Sequence, residues 1–197
     1  AAPEPSLKEA LDDILWHCVP SPQTTTFRNR YRAGRRQQYC LALAKSILSE
    51  EVPLAWRSTR IVHLGPVAGE LPADIIDLFT GAFLGVTPQG WLRRWGARGR
   101  VTFREWAEAE RILAKTNALI LSWEDVHNNR ALVERFTRLC PIVVVTEGPQ
   151  GAQVHTQGSW RPIPPIPANI VDPTGAGDVF AAAYFIRLTE TGDPYEA

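Results

Sequence analysis

Four short apolar runs stand out in the chain: Ile61–Leu64, Phe83–Val86, Ala118–Leu121 and Ile142–Thr146. Each is too short for a helix and too continuously apolar for a strand with one wet face. Each therefore predicts a buried strand. Between and after them the apolar spacing changes to three and four. That predicts helices over 73–80, 103–115, 130–139 and 178–189, the second with Trp106, Ala109, Ile112 and Leu113 inward and the last stopped at Gly192. Strand–helix alternation of this kind predicts an α/β fold with a mainly parallel sheet flanked by helices. Residues 153–156 and 160–163, around Gly158-Ser159, predict an added antiparallel pair.

The first sixty residues follow another pattern. Ser6 to Trp16 predicts a short helix with Ser6 as its cap and Glu9 in the capping-box position. Val19-Pro20-Ser21-Pro22 is a linker. Thr24 to Tyr31 and Gln37 to Ala44, separated by Arg32-Ala33-Gly34-Arg35-Arg36, predict a β-hairpin over 24–44. Its faces are too polar for a core, which places it outside the main sheet.

Composition narrows the function classes. With 197 residues, 45% of them hydrophobic, the chain is long enough for one domain with a real core. Lys plus Arg and Asp plus Glu stand at 21 each, so net charge gives no reason to expect nucleic acid. No run approaches a membrane span, and no membrane partner is expected. Cys18, Cys40 and Cys140 lack metal or disulfide spacing and predict buried free thiols in a reducing, cytoplasmic setting. His17, His63, His127 and His155 share no ligand spacing and predict structural roles. The absence of methionine suggests a chain that is processed, trimmed or part of something longer.

The richest segment is Val171–Leu188. An apolar strand end leads into Gly175-Ala176-Gly177, then Asp178 and a helix. Small residues leave backbone N–H groups free to converge on an anion, and the helix turns its positive end to the same point. Asp178, where loop becomes helix, could take a proton from an attacking hydroxyl while those N–H groups hold a phosphoryl group. The plainer reading is an N-cap beside a tight turn.

Asp172-Pro173-Thr174-Gly175-Ala176-Gly177-Asp178-Val179-Phe180 resembles the C-terminal signature of the PfkB (ribokinase-like) carbohydrate kinases, D-T-x-G-A-G-D-x-F, departing from it at Pro173-Thr174. The resemblance implies a partial PfkB domain over 1–197 with a ribokinase-like three-layer fold, in which the 24–44 hairpin is a small β lid. It implies phosphorylation of a sugar or polyol hydroxyl by ATP with Mg²⁺, Asp178 serving as base and Gly175, Ala176 and Gly177 as anion hole. Thr146, Gly148 and Gly151 resemble the family's nucleotide loop, although a strand-to-strand turn would use the same glycines. Asp125, with Ser122 where the family has Asn, matches the position that holds magnesium-bound water; the alternative is a helix start capped by Ser122. Asp172 matches a region that helps hold a monovalent cation such as K⁺, and otherwise forms an Asx turn. Gln89 and Arg93 follow a strand end and could face the acceptor. A homodimer through the lid is a further expectation. The family extends past both ends of this chain, so the chain alone is expected to be a poor kinase. A kinase-like binding or scaffold protein is the alternative. A dinucleotide-binding oxidoreductase is disfavoured, since no G-x-G-x-x-G follows Leu64.

Overall fold

The computed structural model describes residues 9, 11–32, 35–169, 171–172 and 174–197. In chain order the strands are β1 (Thr26–Arg32), β2 (Arg35–Ala42), β3 (Ile61–Leu64), β4 (Phe83–Val86), β5 (Arg93–Trp95), β6 (Val101–Phe103), β7 (Ala118–Ser122), β8 (Ile142–Thr146), β9 (Ala152–Thr156) and β10 (Ser159–Ile163). The α-helices are α1 (Ala109–Leu113), α2 (Arg130–Thr137) and α3 (Ala176–Thr191).

Six strands form one sheet in the order β10-β9-β8-β7-β4-β3. β3, β4, β7 and β8 run parallel, and β9 and β10 join antiparallel. Successive side chains alternate between faces. Leu119, Leu121, Val143 and Val145 pack with Ile112, Leu113, Val133 and Phe136 of α1 and α2. Ala118, Ile120, Val144 and Val154 meet Ala181, Tyr184, Phe185 and Leu188 of α3. The three-layer α/β expectation therefore holds. At Gly85 a Cβ would stand 2.4 Å from the Phe185 ring, so glycine at this position lets α3 lie directly on β4.

β1 and β2 form a separate two-stranded sheet, as expected for a hairpin outside the main sheet. Its Ala33-Gly34 turn lies outside the described residues. The hairpin is docked on a second one, β5–β6: Cys40 N–H donates to the Gly99 carbonyl at 2.8 Å, and Tyr39 pairs with Arg100. Gly99 has φ 71°, and a Cβ there would reach 2.3 Å from the Cys40 carbonyl oxygen.

Several expectations need correction. The helix predicted over 103–115 is shortened to Ala109–Leu113, because Phe103 is spent pairing with Arg93. The 73–80 helix is a 3₁₀ segment, Ala73–Leu78. Residues 6–8 and 10 of the predicted first helix lie outside the described residues. Residues 11–14 form turns and a bend, and Leu11, Ile14 and Leu15 of the predicted apolar face are exposed. Cys40 and Cys140 are buried, but Cys18 is exposed.

Candidate functional site

Parallel strands direct their carboxyl ends to one edge, where α/β folds place their ligands. The loops after β3, β4, β7 and β8 leave that edge. β7 and β8 bring Ser122 and Thr146 side by side in register. α3 packs on β3 and β4 through Phe185, which meets His63 and lies over Gly85.

Gly175 caps α3 in the left-handed conformation, φ 79°, with no side-chain cap. Val179 N–H closes the first helical bond, on the Gly175 carbonyl at 3.0 Å. Among the described residues the N–H groups of Ala176, Gly177 and Asp178 have no helical acceptor, and they share the positive helix end. Asp178 lies in the first turn of α3, not at the loop–helix junction, so the N-cap reading does not describe it. It is exposed. Gly177 needs no special backbone angle. Its Cβ position has no neighbouring atom within 4 Å, so a side chain there would occupy the space above the helix end.

The predicted residues at the ends of β4, β7 and β8 meet one another. Asp125 Oδ2 accepts from Ser122 Oγ at 2.8 Å and Ser122 N–H at 2.9 Å, while Oδ1 accepts from Gln89 Nε2 at 3.2 Å. The two readings of this segment are therefore compatible: Ser122 organises the turn, and a half-buried carboxylate remains at the edge. Among the described residues no group of three His, Cys, Asp or Glu is placed to hold a metal ion. A single hard oxygen donor suits Mg²⁺, which keeps most of its waters.

Thr146 donates its hydroxyl to the Leu121 carbonyl at 3.4 Å. The 147–151 loop joins antiparallel β8 and β9, with Gly148 at φ 57° and Gly151 at φ 94°. It is thus a strand-to-strand turn, placed at the ligand edge. Glu147, which the sequence reading passed over as the variable residue after Thr146, accepts from Trp123 Nε1 at 2.9 Å and Gln153 Nε2 at 3.4 Å. Its signal was its position, directly after a buried parallel strand.

Arg93 lies apart from Asp125. Its guanidinium is 5.6 Å from the Phe27 ring centroid on β1, and Nη1 donates to the Val67 carbonyl at 3.4 Å. Arg93 therefore touches both the hairpin and the loop after β3. Asp172 is exposed and accepts from Thr174 N–H at 2.8 Å, the geometry of an Asx turn. That bond, then the Thr174 hydroxyl, holds its carboxyl below the ordinary range. Pro173 lies outside the described residues.

Residues 103–197 match the family described as pfkB family carbohydrate kinase. The likeness to that family is one of this segment. It contains α3, the Asp125 turn and the 147–151 loop. The chain is 41% identical over 58 residues to inositol 3-kinase of Arabidopsis thaliana, covering 29% of this chain and 16% of that protein. It is 24% identical over 162 residues to cytidine kinase of Thermococcus kodakarensis, covering 79% of this chain and 57% of that one. Its fold matches a pyrophosphate-dependent kinase in the ribokinase family, solved with a pyrophosphate analogue and myo-inositol. That match has a TM-score of 0.70 and 22% identity, and covers 87% of this chain and 63% of the other. The chain thus spans less than two thirds of the length of each of these three. The likeness of fold includes the part before the pfkB segment, where β1–β4 lie.

Proposed function

We propose that this chain carries the catalytic end of an ATP-dependent kinase for a hydroxyl on a sugar, polyol or related small molecule. The observation that carries the reading is Asp178: an exposed carboxylate in the first turn of a 16-residue helix, beside three N–H groups without helical acceptors among the described residues, at the ligand edge of a parallel sheet.

The acceptor hydroxyl lies against Asp178, which takes its proton as the oxygen attacks the terminal phosphorus of the donor. The P–O bond to the leaving nucleotide breaks, and the N–H groups of 176–178 stabilise charge on the transferring phosphoryl oxygens. The 147–151 loop, with Thr146, takes the nucleotide, its glycines allowing close backbone approach. Asp125 would hold Mg²⁺ through water, and that ion would supply neutralisation of phosphate charge. Gln89 and Arg93 face the acceptor, with the hairpin as a lid over it that excludes water as a competing acceptor. Asp172, kept charged by its turn, is the candidate for a monovalent cation.

The test is transfer of labelled phosphate from ATP to a panel of sugars, polyols including myo-inositol, and nucleosides, with pyrophosphate as a parallel donor. Acceptor-dependent transfer from ATP is the expected result. Saturable acceptor binding without transfer from either donor would favour the binding-protein alternative.

A further inference from the structure

The sequence pattern predicts a structural role for His63, and the structure places it between Thr87 and Phe185. β3 presents Ile61 and His63 to the α3 side of the sheet, near its ligand edge. The His63 imidazole is bonded through Nε2 to Thr87 Oγ1 at 2.9 Å, across to the exit of β4. Its ring meets Phe185 of α3 edge-on, with centroids 5.2 Å apart.

Phe185 is almost fully buried and is gripped on several sides. Gly85 lies beneath it, where any Cβ would collide; Phe83 stands 5.9 Å away, and His63 meets it edge-on. Gly65 belongs to the same fit: a Cβ there would stand 3.2 Å from Thr87 Oγ1 and 3.3 Å from His63 Nε2. Phe185 and Asp178 are seven residues apart on α3, two turns along one helix face. Locking Phe185 therefore locks the height and rotation of the helix end that bears Asp178.

We infer that His63, held by Thr87, is a positioning residue for Asp178, acting through Phe185 and the first two turns of α3. The inference rests on the proposed kinase reading. Burial lowers the His63 pKa from its ordinary value, and the Asp178 charge opposes this, so the two groups sense one another. The charge that acts on His63 comes from α3; β4 contributes the uncharged Thr87.

Two measurements on the whole chain test this. The first is an NMR titration of the four histidines in the unsubstituted protein and in Asp178→Asn. Loss of the Asp178 charge should lower the His63 pKa further. The second is kinetics of His63→Leu, Thr87→Val and His63→Gln. His63→Leu and Thr87→Val should each lower kcat tenfold or more with KM for ATP within twofold. His63→Gln, which keeps a hydrogen-bonding partner for Thr87, should recover at least half of the lost kcat. An unmoved His63 titration in Asp178→Asn overturns the inference whatever the activity. So does equal kcat in the unsubstituted protein and Thr87→Val. A moved titration in a protein that transfers no phosphate retains the positioning and overturns the kinase reading alone.

Discussion

At the scale of single residues, the two carboxylates of the site differ in what they touch among the described residues. Asp125 uses both carboxylate oxygens to hold Ser122 and Gln89, whereas Asp178 stands exposed beside unsatisfied N–H groups. Converting Asp125 to Asn keeps the shape but removes the charge that would draw a hydrated divalent cation. The expected result is a Mg²⁺ requirement raised about tenfold, corresponding to ~1.4 kcal/mol, with kcat at saturating Mg²⁺ reduced less. An unchanged Mg²⁺ dependence would leave Asp125 a turn residue only. The thiols give a second check. Burial pushes Cys140 up to about 12, and it raises Cys40 as well, while Cys18 is exposed. The thiolate is the reactive form. One thiol should react rapidly with a disulfide reagent at pH 8 in the folded protein, and all three after denaturation. Three rapid thiols in the folded protein would contradict the packing described for Cys40 and Cys140.

At the scale of elements, legibility depended on how much of each element's stability was local. Ile142–Thr146 is β-branched throughout and emerges as β8 with the bounds its pattern implied. The last helix ends at Gly192, left-handed at φ 71°, as the glycine signalled. β5 and β6 were not legible. Three-residue strands carry little periodicity, and their partner, the docked hairpin, is distant in sequence. Phe103 was consequently read as the start of a helix. The Asp178 loop was legible as chemistry, but the start of its helix was misplaced by two residues, since a left-handed Gly175 caps it without any side-chain signal. His63 could not be read at all, because its meaning comes from Thr87, Gly85 and Phe185 together. The Phe185 slot yields its own expectation. Gly85→Ala places a methyl in the ring position and should cost about 1–3 kcal/mol, measured as a lower unfolding midpoint in urea. An unchanged midpoint would show that α3 shifts freely on the sheet. Gly175→Ala, at positive φ, should cost roughly 1 kcal/mol and displace the helix start.

At the scale of the whole molecule, one sheet organises everything: α1 and α2 pack one face, α3 the other, and the loops of four parallel strands converge on one edge. The β1–β2 hairpin stands apart, tied to β5–β6 and to Arg93 through Phe27. If it closes over the acceptor, Phe27→Ala should raise acceptor KM severalfold and increase loss of phosphate to water, while KM for ATP stays constant. Equal partition between acceptor and water in both proteins would remove the lid from the mechanism. The central claim, that Asp178 is the base for phosphoryl transfer, is tested most directly by single-turnover transfer from labelled ATP. The unsubstituted chain and Asp178→Asn are compared at high enzyme concentration, with circular dichroism confirming that both are folded. The account predicts acceptor-dependent transfer that falls by roughly 10²–10⁴ in Asp178→Asn. A fall of less than about threefold, outside the range expected for removal of a general base, would contradict it.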